Sequence, residues 1–104
     1  MGIISTLIEL KYQNAQNCAG DLEAVASVIK SLADHDMAEV LYTTDAAWDG
    51  DSSVMCCRKI DNLKGDVKNT GVSIENAARA TRIISENIRK AEIFTMSLAF
   101  NRRY

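Results

Sequence analysis

His35 lies between Asp34 and Asp36 and is the one histidine of the chain. An imidazole beside two carboxylates has the makings of a general base. Neighbours in sequence on a helix point in different directions, however, and do not face each other. The other reactive candidates are Cys18, Cys56 and Cys57. An odd count with irregular spacing argues against a disulfide framework. Adjacent Cys56 and Cys57 would project about 100° apart on a helix and could bond each other only with strain. Zinc would need two further ligands within reach, and His35 is far along the chain. The cysteines are therefore expected as small buried residues. No nucleophile spaced against a base and no glycine-rich phosphate loop appears. The expectation is a protein with no catalytic residues, no cofactor and no metal, and not an enzyme.

The elements around these residues read as helices. The 104 residues suffice for one small domain. Hydrophobic residues make up 47% and aromatics only 6%, which suits helix-on-helix packing. There is no proline, so long helices can run without a break. The net charge of −2 is too small to point to nucleic acid. Its distribution is uneven. Residues 1–45 hold two bases, Lys11 and Lys30, against seven acids, which is −5; residues 46–104 hold ten bases against seven acids, which is +3. Two segments folded back on each other would pair an acidic helix with a basic one, a device that sets register more than stability. No apolar run approaches the ~20 residues of a membrane span. No secretory leader is evident, so the general export pathway is not expected. Met1-Gly2 with Thr6 matches the myristoylation pattern, which is too short to carry weight.

A first helix is expected from about residue 4 to 44. Leu22, Val25, Ile29 and Leu32 follow Cys18 at spacings of four and three, a narrow apolar seam. Ile8, Tyr12 and Ala15 extend it backward, and Val40 and Leu41 forward. Ala19, Ala26 and Ala33 flank it and would let another helix approach closely. Asp34 and Asp36 interrupt the seam, as a fray, a bend or a rim contact.

A second helix is expected from about 53 to 100. One seam position reads Ile60, Val67, Ile74, Thr81, Ile88, Thr95; the other reads Cys56, Leu63, Thr70, Ala77, Ile84, Ala91, Leu98. Six heptads argue for a coiled-coil-like antiparallel pairing. Gly65 and Gly71 each cost ~1 kcal/mol relative to alanine in a helix, so they either soften its middle or allow close backbone contact. Further apolar residues off the seam (Val54, Val72, Ile83, Ile93, Phe94) predict a partner and a four-helix bundle. Between the helices, residues 45–52 form a turn. Gly50 suits a positive φ, and Asp51 or Ser52 suits an N-cap. Residues 101–104 read as a short tail within a single domain spanning 1–104.

Trp48-Asp49-Gly50 at the midpoint, flanked by two helices of similar length, resembles the turn of the WXG family of small type VII secretion proteins. The likeness covers the whole chain in length, layout and turn position. Asp21 to Ala26 and Arg89 to Glu92 look like members from Gram-positive gut bacteria. The resemblance implies an antiparallel helical hairpin, with Trp48 and Gly50 as its turn motif. It also implies export without a cleaved signal, from the cytoplasm to the outside. Implied partners are a second copy or a related hairpin, the helical N-terminal domain of a toxin that the hairpin escorts, and the secretion ATPase. One departure stands out. The family's Tyr-x-x-x-Asp/Glu export pattern has its nearest match at Ile88-x-x-x-Glu92, with isoleucine in place of tyrosine. A signal would then come from a partner or lie among Glu92, Arg102, Arg103 and Tyr104. The competing expectation is a cytosolic coiled-coil adaptor or chaperone that is not itself exported.

Overall fold

The computed structural model describes residues 2–47 and 50–101. Every element among them is helical: α1 (Gly2–Ser31), a π-helical turn (Leu32–Asp36), α2 (Met37–Ala47) and α3 (Asp51–Asn101). The all-α expectation is met. The helices run further than expected, to Ala47 rather than 44 and from Asp51 rather than 53, so less chain is left between them. Among the described residues, no helix is long and apolar enough to cross a membrane.

The interruption at Asp34 and Asp36 is a widened turn. The Met37 N–H donates to the Leu32 carbonyl, five residues back, in place of the four of an α-helix. One extra residue is thereby absorbed without breaking the helical path, and Ala33 stays fully buried inside the turn.

At the start of α3 the cap lies one residue earlier than expected. Gly50 has φ +100°, a backbone state that side-chain-bearing residues rarely adopt. Its carbonyl accepts from the Val54 N–H at 3.2 Å, the first bond of the helix. Gly50 therefore occupies the cap position, while Asp51 and Ser52 fall inside the first turn. There Asp51 places a carboxylate at the positive end of the helix dipole. Trp48 lies outside the described residues, as do Asp49 and the tail residues Arg102, Arg103 and Tyr104.

The chain divides into two compact units, Met1–Leu22 with Asn76–Tyr104, and Glu23–Glu75. In the first, Ile8, Ala19 and Ala78 are buried. Glu9 pairs with Arg89, and Gln16 bonds to Ser85 and to the Arg82 carbonyl. As residue numbers rise on one stretch they fall on the other, so the two stretches run in opposite directions. In the second unit Ala26, Ala33 and Ser53 are buried. Lys30 pairs with Glu75 and Asp34 with Lys68, again in opposite order.

Small residues carry the closest contacts. A Cβ added at Gly71 would lie 2.7 Å from Lys30 Cγ and 3.3 Å from the Ala26 carbonyl oxygen. Gly71 is thus the glycine that permits close backbone approach. Gly65 is not: nothing lies within 4 Å of a Cβ built there.

Candidate partner-binding surface

Ala19 and Ala26 of α1 and Ala33 of the π-helical turn, spaced by seven, are buried, with Ile8 further back. On α3 the matching buried residues are Gly71 and Ala78, also seven apart. The larger apolar residues expected to form the seam stand beside this line. Leu22, Ile29, Ile60, Val67 and Ile74 are half-buried. Val25, Leu32, Leu63, Ile84 and Ile88 are exposed, Ile84 at 56%. The second expected seam, through Leu63, Ala77, Ile84 and Ala91, is displaced by one residue from the series that faces inward. One residue is about 100° of helix rotation, enough to turn a stripe from the contact to the flank. The reason is spacing between backbones. Ala and Gly facing each other let two helices approach until backbone atoms touch, and branched side chains then fit only alongside.

In the first unit the two flanks differ in chemistry. On one side the Arg89 guanidinium bonds Glu9 at 2.9 Å, reaches both Glu86 oxygens at 3.4 Å and stacks 4.6 Å from the centre of the Tyr12 ring. The Glu9 bond first, then the nearby carboxylates, raise the Arg89 pKa; a hydrogen bond with Glu86 raises that of Tyr12. Gln16, Arg82 and Ser85 continue this polar flank, with Gln16 Nε2 donating to Ser85 Oγ at 2.8 Å. A second flank carries more aliphatic residues, although Tyr12, Ser85 and Arg89 also line the hollow that adjoins it. A groove of about 530 Å³ lies there between residues 4–11 and 91–99, walled by Ile4, Leu7, Ala91, Thr95 and Met96. Lys11 and Glu92 are the two charged residues on its wall. Glu92, expected near an export signal, is half-buried at this groove.

In the second unit Lys30–Glu75 at 2.9 Å and Lys68–Asp34 at 3.0 Å are the polar contacts. The hydrogen bond from Lys68 holds the Asp34 carboxyl below its usual pKa. The interruption near His35 therefore includes a contact to α3, and Asp34 spends its carboxylate on that contact. His35 is exposed. Val25, Leu32 and Leu63 stand exposed in the same unit.

The polar contacts were not among the residues singled out from the sequence. Their signal was present as spacing: Glu9, Gln16 and Lys30 fall on one seven-residue series, and Lys68, Glu75, Arg82 and Arg89 on another. The cysteines differ from expectation. Cys18 is exposed, Cys56 and Cys57 are half-buried, and all three are free thiols. An alanine line leaves no buried slot for them.

Large aliphatic side chains such as Ile4 and Leu7 stand exposed along the groove of the first unit. Among the described residues no cluster of three His, Cys, Asp or Glu side chains is placed to hold a metal. No family model, no curated protein and no solved structure matches the chain.

Proposed function

We propose that this protein is a non-enzymatic type VII secretion substrate or partner: an antiparallel two-helix hairpin, turned at Trp48-Asp49-Gly50, whose apolar flank docks another helical hairpin into a four-helix bundle. In that role it is exported without a cleaved signal, alone or as escort to a larger toxin cargo. The observation that carries the reading is the inversion of residue size. Apart from Ile8, the buried apolar residues among those described are alanines, and the large aliphatic residues are half-buried or exposed. Burying a Val, Leu or Ile side chain gains about 1.5–3 kcal/mol, so such a flank is costly to leave in water. The positive φ of Gly50 supports a chain reversal there, and the midpoint Trp-x-Gly supports the family.

Export is tested in native cells lacking the type VII ATPase. Extracellular protein should disappear while the intracellular pool persists. Unchanged extracellular levels would remove the export half of the proposal and leave the cytosolic adaptor, a reading favoured by isoleucine at position 88 where the export pattern has tyrosine.

A further inference from the structure

Within the second unit two ion pairs reach across to α3, Lys30 Nζ to Glu75 Oε2 at 2.9 Å and Lys68 Nζ to Asp34 Oδ1 at 3.0 Å. The four side chains are between 32% and 51% exposed, so the pairs add little stability. Their order of sign is what sets them apart. Lys30 at the end of α1 is the cation of one pair, and Asp34 in the π-helical turn is the anion of the other. The contact beside them repeats every seven residues. Ala19, Ala26 and Ala33 are seven apart, and Gly71 packs against Ala26. A slide of seven residues would carry Gly71 to the next alanine of that line in either direction, and small would still meet small. No proline fixes a helix end. Such a slide need only pass about one helical turn between a helix and the segment joining α2 to α3.

We infer that Lys30–Glu75 and Asp34–Lys68 are a register lock: they select one among the seven-residue registers that the small-residue line would accept. Asp61, Lys68 and Glu75 are seven apart. A slide of α3 in one direction therefore sets Lys68 against Lys30 and Asp61 against Asp34. The opposite slide sets Glu75 against Asp34 and takes it away from Lys30. Both directions exchange attraction for repulsion. A uniformly acidic helix on a uniformly basic one would accept either slide, so the alternation of sign is the discriminating feature. Charges flanking a heptad seam set register in this way. Register in turn decides the outer face. Seven residues at ~1.5 Å each would move the exposed Val25 and Leu32 about 10 Å past Leu63, and a partner would meet a different surface.

The test is the distance between spin labels on Tyr42→Cys and Ser73→Cys, both at exposed positions. It uses the full chain with Cys18, Cys56 and Cys57 replaced by serine, and circular dichroism checks folding. This parent should give one distance. Lys30→Glu with Asp61→Lys makes the first slide attractive at both places and the parent register repulsive at Glu75. A distance about 10 Å longer should then dominate. Lys30→Glu with Glu75→Lys exchanges the charges within the register and should keep the parent distance. Lys30→Gln with Asp34→Asn removes both pairs without adding repulsion. It should add distances about 10 Å to one or both sides of the parent value, and it keeps the test valid if the first variant disturbs folding. A folded Lys30→Glu, Asp61→Lys chain that keeps the parent distance overturns the inference. A single parent distance in the neutral variant overturns it as well, and the segment joining α2 to α3 would then hold the register.

Discussion

Gly71 and Ala26 lie so close that a Cβ on the glycine would sit 3.3 Å from the alanine carbonyl oxygen. The stem of Lys30 closes the same space, its Cγ 2.7 Å from that position. From this contact follow the depth of packing in the second unit and the exposure of the larger residues around it.

Gly71→Ala should therefore destabilise. Alanine gains about 1 kcal/mol of helix propensity over glycine, but the new methyl group would lie 2.7 Å from Lys30 Cγ and 3.3 Å from the Ala26 carbonyl oxygen, so the Lys30 stem and the facing helix must both shift. Gly65→Ala has open space around it and should stabilise by up to about 1 kcal/mol. Urea unfolding of the two variants should give midpoints that move in opposite directions from wild type.

Overfilling the alanine line tests the same contact from the other side. Ala26 is 1% exposed, and Ala26→Leu would force the helices apart. A loss of about 1–3 kcal/mol is expected, with helicity reduced in thermal melts. Val25→Leu next to it, on an exposed residue, should change stability by less than about 0.5 kcal/mol.

Ile84→Asp separates docking from folding. Ile84 is more than half exposed, so an aspartate there should leave helicity intact while abolishing association in light scattering. Ala78→Asp puts the same charge at a position with no exposure and should cost about 3 kcal/mol or more, unfolding the chain. Equal loss of helicity in both variants would contradict the division between inner line and outer flank.

Acid should loosen the Asp34–Lys68 contact. The hydrogen bond from Lys68 lowers the Asp34 pKa in the folded state below its ordinary 3.8. Its stabilising contribution is thus complete above pH 3.8 and lost as pH falls from there through the folded value. Asp34→Asn should lower stability at neutral pH, and the gap to wild type should close in more acidic solution. Denaturant midpoints at pH 7 and at pH 3 measure this directly; a gap that widens in acid would contradict the pairing.

Much of the local structure was readable from residue order. The absence of proline and the repeat of apolar residues at three and four announced long helices, and helices occupy 2–47 and 51–101. Gly50 announced a special backbone state and has φ +100°. Gly71 and Gly65 could not be told apart, because propensity is the same for both and only the neighbour across the contact distinguishes them. The π turn at Leu32–Asp36 showed in the sequence as an interrupted seam, yet its form depends on which carbonyl the Met37 N–H reaches.

The sequence by itself determined that the chain is helical, where its apolar stripes run, and that two seven-residue series of charged and polar residues accompany them. It also placed Ala19, Ala26 and Ala33 beside the larger stripe. Only the tertiary structure decided which stripe turns inward. A seven-residue repeat specifies spacing but not phase, and two adjacent stripes satisfy it equally. The choice is made when backbones approach: alanine and glycine allow contact at the shortest distance, and every larger side chain must then stand to one flank. The same geometry set Lys11 and Glu92 on the walls of one groove, although 81 positions separate them in the chain.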